Sequence, residues 1–178
     1  GLKLYDLNTN GIEPVASEVA GSSALYLCGM AVADDGAVYA CNLTPNASGG
    51  TNAEPPKMFR VYRWANSDSN TLPVNIFTGD PAGQTANVRW GDVMSVRGSG
   101  TNTEIVLDSK TGSFGAVLKP TDDSMTNFTS YSWASLAGDG PIGRSLQFET
   151  NNTVWQKHKG TALKKSSYNT NNQTSAIL

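Results

Sequence analysis

From Gly29 to Asn42 the chain alternates apolar and small side chains on either side of an Asp-Asp-Gly: Gly29-Met-Ala-Val-Ala, then Asp34-Asp35-Gly36, then Ala37-Val-Tyr-Ala-Cys-Asn42. Alternation with period two predicts two short strands, and the Asp-Asp-Gly between them predicts a tight antiparallel reversal. Gly36 supplies the positive φ that such a turn requires, and the two Asp side chains bond back to nearby backbone. The pattern returns twice. Met94-Ser-Val-Arg and Glu104-Ile-Val-Leu flank a Gly-Ser-Gly-Thr-Asn turn that begins at Gly98, and Leu146-Gln-Phe-Glu and Thr153-Val-Trp-Gln flank Asn151-Asn152. A repeat of tens of residues built from short strands predicts an all-β protein of the β-propeller kind.

Two further strands follow each of the first two hairpins: Phe59–Trp64 with Val74–Phe77, then Gly115–Lys119 with Phe128–Tyr131. Each unit therefore reads as a blade of four antiparallel strands. The opening residues, Leu2-Lys-Leu-Tyr-Asp-Leu and then Pro14-Val-Ala, resemble the outer half of a blade. After the third hairpin, Thr161–Lys165 and the terminal Ala-Ile-Leu are its candidate outer strands. The division is one β domain over 1–178: an outer half-blade at 1–20, blades at 21–80 and 88–132, and a partly incomplete blade at 141–178. Propellers close with roughly four to eight blades, so this reads as an incomplete propeller. Three explanations follow: a fragment of a longer protein, several copies assembling, or the alternative that the units pack as a β-sandwich. The long loops at 44–56 and 79–88, rich in Gly, Pro, Asn and Ala, read as surface excursions, where such scaffolds carry function.

Composition narrows the function classes. The 178 residues are 38% hydrophobic and 16% charged, with polarity drawn mainly from Ser, Thr, Asn and Gly, which suits a protein outside the cytoplasm: extracellular, on the cell surface or periplasmic. A formal net charge of −2 gives no basic field for phosphates, which argues against a nucleic-acid partner. No run approaches the roughly 18 apolar residues of a membrane span, and no charged start leads into an apolar run, so the expectation is a soluble chain or one whose targeting segment has been removed. Cys28 and Cys41 flank the first turn almost symmetrically. They read either as a possible disulfide across the hairpin or as two small core residues, because a shift of one residue in register would part them. Asn-x-Ser/Thr sequons begin at Asn42, Asn46, Asn127, Asn151 and Asn172, as an Asn- and Thr-rich chain produces by chance.

The Gly29-Met-Ala-Val strand turning at Asp-Gly into Ala37-Val-Tyr-Ala resembles NHL-type and related extracytoplasmic propeller repeats. The Arg60-Val-Tyr-Arg-Trp strand, Arg89-Trp-Gly-Asp-Val and Arg97-Gly-Ser-Gly-Thr-Asn-Thr-Glu are similar to secreted bacterial propellers of unknown function. The likeness covers chiefly Cys28 to Leu107. It departs at Cys41-Asn42, where those repeats favour an aliphatic residue and Asp, and it implies no catalytic residues.

Candidate chemistry is sparse. His158 is the single histidine and reads as a solvated strand-end residue, and no nucleophile-elbow, phosphate-loop, His-Glu-x-x-His or Cys-x-x-Cys motif occurs. No catalytic residue, metal ligand or cofactor is assigned. Among Asp80, Asp92, Asp122, Asp123 and Asp139, carboxylates for glycoside chemistry have no sequence spacing to read, and Asp122-Asp123 reads as turn structure. Asn66–Asn70 and Gly138–Gly140 lack the carboxylate spacing of a calcium loop. Aligning the repeats places Cys28, Asp92 and Arg144 just before the innermost strand of each unit, so Asp92 and Arg144 read as a ligand-binding pair or an ion pair between blades. Arg89 and Trp90 read as a stacking surface for a sugar, or Trp90 as packing. The leading reading is a non-enzymatic, secreted or surface propeller segment that binds or assembles with protein, either itself or a longer chain supplying blades. The alternatives are a carbohydrate-binding or carbohydrate-active propeller with a polysaccharide partner, and a self-assembling filament or surface-layer subunit.

Overall fold

Short stretches of alternating or β-branched residues, each stopped within a few positions by Gly, Asn, Asp or Pro, leave strands too short to fold alone and oblige neighbouring strands to pair. The computed structural model describes residues 3–6, 11–14, 27–43, 58–68, 71–83, 88–110, 114–134, 145–150, 152–157, 162–171 and 174–178. These residues are all-β apart from one 3-10 turn at Gly100–Asn102. A small hairpin joins β1 (Lys3–Asp6) to β2 (Gly11–Pro14), with Lys3 opposite Pro14; β2 begins three residues before the expected Pro14.

Three four-stranded antiparallel sheets follow, each a meander in chain order. The first holds β3 (Leu27–Val32), β4 (Val38–Asn42), β5 (Arg60–Trp64) and β6 (Val74–Thr78). The second holds β7 (Met94–Arg97), β8 (Glu104–Asp108), β9 (Phe114–Pro120) and β10 (Phe128–Ala134). The third holds β11 (Ser145–Thr150), β12 (Thr153–Lys157), β13 (Leu163–Asn169) and β14 (Thr174–Ile177).

The sheets stack in sequence order, with β3 against β7, β7 and β8 against β11, β6 near β10 and β10 near β14. Period two then sorts the side chains. Tyr39, Cys41 and Val61 of the first sheet meet Met94, Val96, Ile105, Leu107, Ala116 and Leu118 of the second in one core. The intervening Val106 and Val117 point the other way and join Trp133, Leu146, Val154 and Tyr168 in another. A two-sheet sandwich has two layers around one core; among the described residues, three four-stranded sheets stack with a core at each of their two junctions. On the far side of the first sheet, Ala40, Tyr62 and Trp64 are buried with Leu27 and Val38 beside them.

The register of the first hairpin decides the cysteines. Gly29 stands opposite Cys41 and Leu27 opposite Asn42, so Cys28 falls in a bulge without a cross-strand partner. Cys28 is exposed, Cys41 is buried, and both are free. Burial pushes the Cys41 thiol up to about 12, which leaves it protonated at neutral pH. Its sulfur fills the space beside Gly29, where a Cβ would lie 2.6 Å from Sγ.

Candidate functional site

In a meander, the turns between first and second strands and those between third and fourth share one end of the sheets, and the other connections share the opposite end. At the first end, the three inner turns converge on a cleft of about 450 Å³ lined by Asp34, Arg97, Gly98, Asn102, Glu104 and Asn152. One of these comes from the first sheet's turn, four from the second sheet and one from the third.

Each turn is set by local chemistry. In the first, Gly36 takes φ +84°, its amide donates to the Ala33 carbonyl at 3.0 Å, and Asp35 Oδ1 accepts from the Ala37 amide at 3.1 Å. In the second, Gly98 takes φ +80°, and a Cβ there would fall 2.2 Å from the Asn102 carbonyl oxygen, so only glycine fits. In the third, Asn152 takes φ +59°, as Asn tolerates, and its carbonyl accepts from the Tyr168 amide at 2.9 Å.

The turns are also tied to one another. The Asp34 amide donates to the Gly98 carbonyl at 3.0 Å, and the Gly98 amide donates back to Asp34 Oδ2 at 2.9 Å. Asp35 Oδ2 accepts from the Gly100 amide at 3.1 Å. The predicted local bonding is made by Asp35, while both carboxylates join the first sheet to the second.

The junction with the third sheet is sealed by charge. Glu104 Oε2 accepts from Arg97 Nε at 2.9 Å and from the Tyr168 hydroxyl at 2.9 Å, and Lys119 Nζ lies 2.6 Å from Oε1. The Arg97 guanidinium also donates to the Tyr168 hydroxyl at 3.2 Å and lies 4.6 Å from the centre of the Phe148 ring. Burial by itself raises the Glu104 pKa, but bonds from Lys119, Arg97 and Tyr168 outweigh it and hold the carboxyl below its usual range. The Tyr168 phenol moves up, because burial and the Glu104 charge both oppose its ionisation. Its ring stacks on Trp133 with centroids 5.3 Å apart.

Arg89, Trp90 and Asp92 lie at the opposite end, just before β7. Arg89 and Asp92 are brought together as a two-point ion pair, Nε to Oδ2 at 2.6 Å and Nη2 to Oδ1 at 2.7 Å, with Lys110 Nζ 3.6 Å from Oδ1. Asp92 therefore has two cations within its own sheet region, while Arg144 lies outside the described residues. Trp90 is fully buried against Phe59, with ring centres 6.4 Å apart, so its face packs the core and is not offered to a sugar. Gly91 beside it takes φ +94°, and a Cβ there would lie 2.0 Å from the Asn42 carbonyl oxygen. His158, Asp139, Gly138–Gly140 and the 44–57 loop are also outside the described residues. Asp122 Oδ1 accepts from the Ser124 amide at 2.9 Å and Asp80 Oδ1 from the Ala82 amide at 2.8 Å, both turn roles. Among the described residues, no group of three or more His, Cys, Asp or Glu is placed to hold a metal ion, and no helix is long and apolar enough to cross a membrane.

The cleft was missed by motif reading because its residues serve no known motif. The signal available was the repeat itself: aligned inner turns must share one end of stacked sheets. The chain matches no protein-family model and no curated protein.

Proposed function

We propose that the chain forms consecutive blades of a β-propeller and acts by binding and assembly rather than by catalysis, in a secreted or surface setting. The observation that carries this reading is the repeated junction: each sheet lays one face on the opposite face of the next, in chain order, with first strand against first strand. Contact is denser between first strands than between last ones, which suits sheets fanning about a common axis.

A junction of this type is heterologous, so the two terminal faces are the two halves of one more junction. On the first sheet's outer face, beside the buried Ala40, Tyr62 and Trp64, Met30 and Val32 are 59% and 56% exposed, and on that of the third sheet Trp155 and Leu163 are 36% and 59% exposed. A further sheet, from a second copy or a longer polypeptide, completes them. The non-catalytic part of the reading is supported by how two carboxylates are spent: buried Glu104 and half-buried Asp92 are each held by two cations. The Ser-, Thr- and Asn-rich turns and the low charge support an extracytoplasmic location.

Light scattering after size exclusion, over a range of concentrations and with and without reductant, tests the assembly. The expected result is a defined multiple of 18.8 kDa that Val32→Asp dissociates without loss of secondary structure. A strict monomer at every concentration would overturn it.

A further inference from the structure

We infer that the cleft at the inner turns is a binding site for a neutral polyhydroxylated ligand, a single sugar unit. The inference does not depend on how many sheets the assembled molecule contains, because every lining residue comes from these three turns and the strands beside them. At about 450 Å³ the cleft falls within the roughly 300–1,000 Å³ of small-molecule sites.

Its chemistry selects the class. Arg97 and Glu104 pair with each other, and Asp34 is the remaining charge of the lining, so an anion is disfavoured. The two carboxamides, Asn102 and Asn152, belong to exposed turn residues that line the cleft. Asp34 engages the Gly98 amide through Oδ2, leaving Oδ1 open among those residues. Donors and acceptors are thus mixed at close range, which matches alcohol hydroxyls, each able to donate and accept.

The floor is rigid. Reciprocal bonds between Asp34 and Gly98 fix the first two turns, and the Arg97–Glu104–Tyr168 network fixes the third sheet behind them. Groups held in place before binding lose little freedom on contact, which favours selective recognition of a small polar ligand. Neither a phosphate nor a metal finds a matching set of groups there.

The experiment is an amide chemical-shift titration of the full chain with D-glucose, D-galactose and N-acetyl-D-glucosamine, then with lactose, cellobiose and chitobiose, and with inorganic phosphate as the charged comparison. At least one pyranose is expected to move the Gly98, Gly100, Asn102 and Asn152 amides saturably. Asn102→Ala and Asn152→Gly are each expected to weaken that binding about two- to tenfold, the loss of one neutral hydrogen bond. The glycine keeps the positive φ of the third turn, so the fold is retained, which the unchanged thermal transition confirms. Equal affinity for monosaccharide and disaccharide supports a free sugar as ligand, and tighter disaccharide binding supports a unit of a longer chain. Three results would overturn the inference: no saturable shift with any pyranose, full binding in both variants, or stronger movement of the same amides by phosphate.

Discussion

The second and third sheets have the same four-strand order, yet they bury their residues differently. In β8 all of Glu104–Asp108 is buried, and in β9 Gly115–Leu118 is buried, because the second sheet has a neighbour on each face. In β11 and β12 the buried positions, Leu146 and Val154, are flanked by exposed Gln147 and Trp155, because only one face of the third sheet is covered by a described neighbour. The sequences carry the difference. Ile105-Val-Leu and Ala116-Val-Leu are continuous apolar runs, as in any strand covered on both sides, whereas Leu146-Gln-Phe-Glu alternates. A sheet's place in the stack can be read from its pattern once the sheets are known to stack.

Neighbouring substitutions break the comparison most sharply. In the second sheet Ile105→Ala should cost about 2–5 kcal/mol and Val106→Ala about 1.5–3 kcal/mol, since one empties each core. In the third sheet Val154→Ala should cost a similar 1.5–3 kcal/mol, while Trp155→Ala should change stability by less than about 0.5 kcal/mol in the monomer. Urea unfolding of dilute protein measures all four. Equal costs at Trp155 and Val154 would mean that the open face is already covered. If Trp155→Ala instead acts only at concentrations where the chain associates, that face is the junction.

Gly115 sharpens the seam between the two sheets. It lies opposite Trp133 in the ladder, and a Cβ there would sit 2.5 Å from the indole ring that stacks on Tyr168. Gly115→Ala should therefore cost about 1–3 kcal/mol by overpacking. Loss of the Trp133 near-ultraviolet dichroism, with the far-ultraviolet signal kept, would locate the damage at that seam.

The smallest effects compare two carboxylates. Glu104 in the sealed junction is held below its ordinary pKa of 4.5, so its contribution is present above that value and is lost as pH falls through the lower folded one. Glu104→Gln should cost about 1–3 kcal/mol at neutral pH and flatten the loss below pH 4.5. Glu149 pairs with Lys165 on the open face, and that bond lowers its pKa too, but in full solvent. Glu149→Gln should leave the acid limb of the stability curve unchanged. An equal flattening by both variants would show that the Glu104 network is as well screened as the surface pair.

Much of the strand layout was legible. The three inner hairpins and the outer strands of the first two units follow from alternation and turn residues alone, because side-chain period and turn chemistry are local properties. The cysteine pairing was not, since a single bulge at Cys28 undoes the symmetry and nothing in the residues announces a bulge. Trp90 read equally well as a ligand face or as packing, and the stacking of sheets decided for packing. The Arg89–Asp92 pair was not legible, Asp92 reading against Arg144 and Arg89 with Trp90, because an i,i+3 pair outside a helix needs the backbone to turn it inward.

The sequence by itself determined most of the strands and their pairing into four-stranded meanders, consequences of the two-residue period and of Gly, Asn and Asp at reversals. Only the tertiary structure decided which turns share a cleft and which charges meet there. Arg97 reaches Tyr168 across 71 positions of chain, and Asp34 reaches Gly98 across 64. Such contacts depend on how stacked sheets align, and no local pattern encodes that alignment.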